Sequence, residues 1–308
     1  MRVLFIGYGA VSAVGAHLLG GVHDVAIATR SAARLAEPPL PARRRARGPK
    51  TGIRQLRLVT HGQSESGVWD LVVVTPRPSD VDAGYLGHLA KGSPQAVFAT
   101  TSQVPGDLER LAGRVGSASV IMLAPQFLAF RRADGARPIE YWAPPGSPVF
   151  AAAGEASGIA VARSVAAQAK MRLQVRSVRD LLESAARTMP FTAELTIRSG
   201  VWADLVGHVH RPRAAALEAS AVIRGKRTSL PPAWLIRLAL TLLPHVVPLN
   251  IKDYASEHFR RHEQQTLQML NAWADGARPG QPVASLRSLA HALDSTARST
   301  VRRSADER

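Results

Sequence analysis

The chain has 308 residues, 46% of them hydrophobic, and a formal net charge of +16 at pH 7. This length can bury a large core and favours two domains. The absence of cysteine excludes a disulfide framework, thiolate chemistry and a cysteine-ligated zinc site. No segment reaches the roughly 18–20 apolar residues that a membrane-spanning helix needs, and residues 1–6 resemble a strand rather than a signal peptide. We therefore expect a cytoplasmic protein without a membrane partner.

The positive charge admits two interpretations. Clustered basic residues bind nucleic acids by releasing counterions from the phosphates. Here the arginines are spread along the chain, and several fall in segments predicted to be loop or tail, such as 43–47 and 298–303. Because no recognition-helix, zinc-finger or RNA-binding motif accompanies them, the sequence favours a general attraction to anions, including a phosphorylated cofactor, over nucleic-acid binding.

The first thirty residues carry the clearest pattern. They predict a short apolar strand at Arg2–Ile6 and a glycine turn at Gly7-Tyr8-Gly9. A helix follows, which opens with Ala10-Val11-Ser12 and runs to Leu19, and then a second strand at Asp24–Thr29. This order is typical of the dinucleotide-binding unit. An ordinary strand–helix turn that binds no ligand is the alternative.

Each position of that turn has a chemical reason. Gly7 allows a sharp turn off the strand, and Gly9 lets a pyrophosphate approach the backbone. The first amides of the helix, at Ala10, Val11 and Ser12, would then face the phosphates. Ser12 occupies the third glycine position of the motif, which governs the packing of helix on strand, so it weakens the match.

The end of the second strand predicts which cofactor is bound. A carboxylate there would hold the ribose 2′-hydroxyl of NAD, but this chain has Arg30, 21 residues after Gly9. The planar guanidinium suits a 2′-phosphate because it donates two charge-assisted hydrogen bonds. The sequence thus favours NADP over NAD. The alternative is that Arg30 is a solvated residue at the strand end.

The next strands continue a parallel sheet. Trp69–Thr75 is a continuous β-branched run that predicts a buried strand, and Thr75 and Pro76 at its end are candidates to flank the cofactor. The remaining predicted strands are 55–59, 96–100, 119–123, 138–142, 148–151 and 171–176, with helices at 81–91, 107–115 and 157–170. The two segments 138–142 and 148–151 are predicted as edge or hairpin strands.

From Val178 onward the spacing is helical. Helices are predicted at 179–186, 193–206, 213–223, 232–243, 253–276 and 282–293. The fold class is therefore α/β, with a Rossmann dinucleotide-binding domain over residues 1–176 and an all-helical domain over 177–294. Residues 295–308 are expected to form a disordered tail.

Over nearly its whole length the chain resembles the ketopantoate reductase (2-dehydropantoate 2-reductase) family. The resemblance rests on the GYGAV turn, Arg30, the WDLVVVT strand, the FAAAGE segment at 150–155 and the helical half that begins at Asp180. It implies a Rossmann domain followed by a helical domain. It also implies NADPH as hydride donor and a 2-oxo acid or related carbonyl substrate between the domains.

The catalytic residues that the resemblance implies do not carry over to this chain. A lysine is expected where the helical domain starts, but residues 180–190 contain none, and Arg187 is the nearest cation. Arg187 could polarise a carbonyl or bind a carboxylate; alternatively it forms a salt bridge with Glu183. His262 could donate a proton at neutral pH; alternatively it pairs with Glu263 or Glu257 on a solvated face. His258 and His262 share a helix face, but no third ligand predicts a metal site.

We therefore predict a reductase that uses NADPH to reduce a small carbonyl compound, with Arg187 and His262 as the candidate catalytic residues. The alternative is a non-catalytic NADP-binding sensor or interaction protein. The apolar segment Trp234–Leu249 is predicted foremost as a core helix, with a substrate pocket or a homodimer interface as alternatives.

Overall fold

The computed structural model describes residues 1–30, 42–44, 57–116, 118–130, 139–251 and 263–306. Two compact units divide the chain, Met1–Leu181 and Leu182–Arg308. The first holds both sheets, whereas the described residues of the second form helices.

The first unit is built on an eight-stranded sheet in the order β11-β10-β7-β6-β5-β1-β2-β4. Its strands are β1 (Arg2–Ile6), β2 (Asp24–Thr29), β4 (Arg57–Thr60), β5 (Leu71–Val74), β6 (Val97–Thr100), β7 (Ser119–Pro125), β10 (Phe150–Gly154) and β11 (Leu173–Val175). The pairings are parallel except that β10 runs antiparallel to β7. A second sheet has the order β3 (Ala42–Arg44), β9 (Ile139–Trp142) and β8 (Leu128–Phe130).

Helices cover both faces of the large sheet. They are α1 (Ala10–Leu19), α2 (His61–Glu65), α3 (Ala83–Gly92), α4 (Asp107–Val115) and α5 (Ala156–Gln168). Val3 and Phe5 pack in one apolar cluster with α1 and α5, while Leu4 and Ile6 pack in another with α3 and α4. Since successive side chains of a strand point to opposite faces, the continuous apolar strands predicted from the sequence match a sheet buried on both sides. The predicted Rossmann architecture is confirmed.

Three features of this unit differ from the sequence analysis. The segment 148–151 forms no hairpin with 138–142, because β10 lies inside the large sheet between β7 and β11, while β9 pairs with β8. Four of the five residues of β10 are buried, as expected for a strand inside the sheet. Strand β3 and helix α2 fall in segments where neither was predicted.

The described part of the second unit is helical. Its helices are α6 (Val178–Ile197, which begins four residues before the boundary), α7 (Trp202–Gly207), α8 (His210–Arg224), α9 (Ala233–Val246), α10 (Glu263–Asp275) and α11 (Ala284–Asp306). Buried apolar side chains of this unit include Ala186, Ala216, Leu270, Trp273 and Leu289.

Helix α6 runs through Pro190, where the sequence predicted a break between two helices. A proline inside a helix removes one backbone hydrogen bond and costs about 3 kcal/mol. Buried side chains lie on both sides of it, among them Ala185, Ala186, Ala193 and Leu195. Their burial offsets that cost, so the helix continues to Ile197.

The end of the chain also differs from expectation. Helix α11 continues to Asp306, beyond Ser295, where the sequence analysis placed the start of a disordered tail. The hydroxyls of Ser295 and Thr296 donate to the carbonyls of His291 and Ala292, four residues earlier, so these polar residues are accommodated in the helix.

Helix α9 is not the core helix that the sequence favoured. None of its residues is buried. Its most exposed apolar side chains are Trp234, Leu235, Leu238, Leu242 and Val246. The opposite side contacts α7, where the Trp202 indole donates to the Leu240 carbonyl at 3.1 Å.

Candidate nucleotide-binding site

The glycine turn between β1 and α1 requires glycine at its first position. Gly7 has φ of +93°, in the region that L side chains rarely adopt. A Cβ atom there would lie 2.8 Å from Cγ of Pro76 and 3.1 Å from Oγ1 of Thr75. The side chains of Thr75 and Pro76 therefore pack against the backbone of Gly7 and leave no space for a side chain at that position.

Gly9 is open where Gly7 is crowded. A Cβ atom at Gly9 would have no heavy atom within 4 Å beyond its own chain neighbours. Gly9 is also the N-cap of α1, where no side chain caps the helix and the first turn has no acidic residue. The first amides of α1, at Ala10, Val11 and Ser12, thus meet no side-chain acceptor at the cap, which is the arrangement that favours binding of an anion.

Ser12 has a different role from the glycine that it replaces. It is fully buried, and its Oγ lies 2.8 Å from Oγ1 of Thr75, whose hydroxyl donates to the Ile6 carbonyl at 2.8 Å. Because that bond uses the threonine proton, Ser12 is the donor to Thr75. This chain of hydrogen bonds joins α1 to the ends of β1 and β5.

The close packing of helix on strand occurs one turn later. A Cβ atom at Gly15 would lie 2.5 Å from Cζ of Phe5, so only glycine fits there without displacing the ring. The sequence analysis assigned that packing role to position 12. In this chain Gly15 has it, and Ser12 supplies a hydrogen bond instead.

A cleft of about 430 Å³ opens beside the turn. Its walls come from the C-terminal ends of β1, β2, β4 and β5. The lining residues are Ile6, Gly7, Tyr8, Ala28, Thr29, Arg30, His61, Pro76, Asp80 and Val81. The volume is within the usual range of ligand pockets, about 300–1,000 Å³. Arg30, exposed at the end of β2, is thus on the same cleft as Gly7.

The sequence analysis did not identify His61, which also lines this cleft. It directly follows β4 at the start of α2, and its ring stacks on Tyr85 of α3, with centroids 3.8 Å apart and planes within 3°. The rule that ligands lie at strand ends, applied to the predicted strand 55–59, would have pointed to this position.

The surroundings of His61 are anchored by hydrogen bonds. The Ser64 hydroxyl donates to the His61 carbonyl at 2.6 Å, so the Tyr85 hydroxyl, 2.7 Å away, donates to Ser64. Burial raises the pKa of Tyr85 to about 12, which keeps this donor protonated. Burial lowers the pKa of His61, and the charge of Arg30 lowers it further, whereas Glu65 and Asp82 act in the opposite direction.

The loop after β6 is held by buried Asp107. Its carboxylate accepts from the Ser102 hydroxyl at 2.5 Å and from Arg77 Nε at 3.2 Å, and it also pairs with Arg110. Thr101 donates to the Thr75 carbonyl at 3.3 Å. These bonds fix the shape of the loops that follow β5 and β6.

The structure places Arg187 in an ion pair. Its Nη2 lies 2.7 Å from Oε1 of Glu183, which is the salt bridge that the sequence analysis gave as the alternative. Glu183 is buried and also pairs with Arg224 of α8. The Arg187 side chain is still 43% exposed, so the pair leaves part of the guanidinium accessible to solvent.

The other catalytic candidate, His262, lies outside the described residues, as does His258. Among the residues that are described, no group of three or more His, Asp or Glu side chains is placed to hold a metal ion. Glu194, on α6, is fully buried and pairs with Arg198 and Arg211.

Among known proteins, similarity to this chain is found in solved structures and not in sequence comparisons. No family model matches the chain, and no curated protein sequence matches it. Solved structures do match over nearly the whole length. A 2-dehydropantoate 2-reductase from Geobacter metallireducens GS-15 gives a TM-score of 0.69 at 15% identity, covering 96% of this chain and 99% of that one. The chain has the fold of these reductases.

Two further neighbours extend the comparison. A PanE/ApbA family ketopantoate reductase from Ralstonia eutropha JMP134 gives a TM-score of 0.67 at 14% identity, covering 96% of this chain and 98% of that one. A D-mandelate dehydrogenase in complex with NADH gives 0.67 at 11% identity, covering 97% and 99%. The first confirms the fold that the resemblance implied, a Rossmann domain followed by a helical domain.

No helix within the described ranges combines the length and the apolar composition that crossing a bilayer requires.

Proposed function

We propose that the chain is an NADPH-dependent oxidoreductase that reduces a small carbonyl compound, most plainly a 2-oxo acid, to the corresponding alcohol. The observation that carries this proposal is the combination of an uncapped helix N-terminus with Arg30 on one cleft. The neighbouring reductases, and the dehydrogenase determined with NADH, support a nicotinamide dinucleotide as the ligand.

The residues of the cleft suit such a cofactor. The open space at Gly9 would accept the pyrophosphate, and the first amides of α1 would donate to it. Thr29 and Arg30 lie where the adenosine ribose binds in this fold, and no carboxylate follows β2 directly to hold a 2′-hydroxyl. Arg30 would instead donate to the 2′-phosphate, which distinguishes NADPH from NADH.

When bound, the cofactor supplies a hydride to the carbonyl carbon, and the carbonyl oxygen takes a proton. The protein must therefore hold the substrate, stabilise the developing negative charge on oxygen and provide that proton. We assign charge stabilisation or carboxylate binding to Arg187, since a guanidinium group is a cation with five N–H donors and is a poor general acid. His262 would be the proton donor, because histidine is the side chain best suited to proton transfer near neutral pH.

The experiment is NADPH oxidation by the purified protein, followed at the nicotinamide absorbance with a panel of 2-oxo acids and simple ketones. Turnover with one of these compounds, and a slower reaction with NADH, would support the proposal. Tight NADPH binding without turnover on any of them would contradict the assignment as an enzyme.

That second result would favour a non-catalytic NADP-binding sensor or interaction protein. The specific observation behind it is the pairing of Arg187 with Glu183, in a segment that has no lysine. A homodimer stays a prediction from the sequence, and sedimentation velocity on the purified chain would test it.

A further inference from the structure

His61 is the feature of the nucleotide cleft that the proposed function does not use. It enters the cleft from β4, the neighbour of β2, so it shares the cleft with Arg30 at the end of the adjacent strand. Within the described part of the chain, neither imidazole nitrogen has a hydrogen-bond partner, although the ring is held in place by its stack on Tyr85. A fixed ring with two available nitrogens is equipped to bind a ligand atom.

We propose that His61 is a second determinant of cofactor choice, which takes up a proton and pairs with the 2′-phosphate of NADPH beside Arg30. This inference rests on the proposed function, since it needs a nicotinamide dinucleotide in the cleft. It assigns a new role to a residue at which the sequence shows no motif.

The charges around His61 support proton uptake on binding. Arg30 disfavours the imidazolium, while Glu65 on α2 and Asp82 at the N-cap of α3 favour it, and Tyr85 packed against the ring is neutral. Asp80 adds a carboxylate on the cleft itself. In the free protein the pKa of His61 is lowered, chiefly by burial, so the ring is mostly neutral at pH 7. A phosphate dianion would offset the effect of Arg30 and stabilise the protonated form.

The direction of the pH dependence follows from linkage. If the pKa of His61 is higher in the NADPH complex than in the free protein, binding takes up protons and weakens as the pH rises through the pKa of the complex. A rise of about one unit corresponds to an affinity change of about tenfold across the transition. The 2′-phosphate itself titrates near pH 6, about the pKa of a phosphate monoester. The contribution of His61 is therefore the difference between the wild-type protein and variants without the imidazole.

The experiment is calorimetric titration with NADPH and with NADH. At pH 7 it is run in two buffers of different ionisation enthalpy, which counts the protons taken up, and at pH 6 it compares the affinities. The variants are His61→Gln and His61→Phe, the second of which keeps an aromatic ring to stack on Tyr85. His291→Gln, at an exposed position on α11, is the control.

We expect the wild type and the control to take up protons when NADPH binds, and both His61 variants to take up fewer. Proton uptake on NADH binding should be the same in the wild type and in the His61 variants. The His61 variants should also bind NADPH several-fold more weakly at pH 6 than the wild type does. Equal proton uptake in wild type and His61 variants would overturn the inference while leaving NADPH binding intact. Failure of the wild type to bind either nucleotide would overturn the proposed function itself.

Discussion

The glycine turn of the first unit and helix α6 differ in whether their polar groups have partners within the protein. At the turn, the α1 N-terminus has no side-chain cap and Gly9 faces open space. On α6, two buried glutamates each hold two arginines: Glu183 pairs with Arg187 and Arg224, and Glu194 pairs with Arg198 and Arg211. The uncapped amides of α1 indicate a ligand site, because no side chain caps them. The ion pairs of α6 are satisfied within the protein, so they can be purely structural.

The two pairs of arginines provide a sharp test of that difference. Arg187 and Arg198 stand four residues after their respective glutamates, so they make matched ion pairs. If Arg187 and His262 act on the substrate and Arg198 does not, the double variant Arg187→Ala, His262→Ala should lower kcat by at least about a hundredfold, the lower range for loss of an acid–base group. NADPH affinity should persist.

Arg198→Ala is the control, because it leaves a buried glutamate with one arginine in the same way. Its loss of stability should resemble that of Arg187→Ala in thermal unfolding, with kcat unchanged. Equal turnover in the double variant and the wild type would remove the catalytic assignment.

A second substitution tests whether Arg30 is the contact that selects NADPH at the nucleotide cleft. Arg30→Glu should weaken NADPH binding by about ten- to a hundredfold, since a charge-assisted hydrogen bond contributes about 1.5–3 kcal/mol, and should leave NADH binding much less affected. Arg163→Glu, on the exposed side of α5, changes the net charge by the same amount. If both variants lose NADPH affinity equally, the effect is one of overall charge and Arg30 is not the specific contact.

The two glycines of the α1 region separate binding from folding. Gly15→Ala should destabilise the protein by about 1–3 kcal/mol, a typical cost of overpacking, because the added methyl would meet Phe5. Gly9→Ala has space in the protein and should leave thermal unfolding nearly unchanged, yet weaken NADPH binding. Reversal of this order would mean that Gly9 is structural and not a ligand contact.

The smallest effect is expected at the serine that replaces the third glycine. Ser12→Ala removes the donor to Thr75 and should lower the free energy of unfolding by about 1 kcal/mol. Ser12→Gly, which restores the usual residue, removes the same bond and adds chain entropy, so it should be less stable still. A Ser12→Gly protein more stable than wild type would show that the hydrogen bond contributes nothing.

The sequence predicted the features that depend on residues close together in the chain, and it missed those that depend on distant contacts. The strand–turn–helix at Gly7 and Gly9 is set by residues close in sequence, and so is the exact span of α4 at Asp107–Val115. The position of β10 depends on its pairing with β7, about 30 residues earlier in the chain. The segment itself is short and close in sequence to 138–142, so the sequence alone suggested an edge or hairpin strand. His61 enters the cleft only through the pairing of β4 with β2. Helix α6 passes Pro190 because of burial that the local sequence does not display.

The most direct test of this account is a fluorescence titration of the purified protein with NADPH and NADH, repeated with Arg30→Glu. The account predicts selective binding of NADPH that is lost in the variant. No binding of either nucleotide would contradict it, and would mean that the turn with Ser12 is a structural remnant of the dinucleotide site.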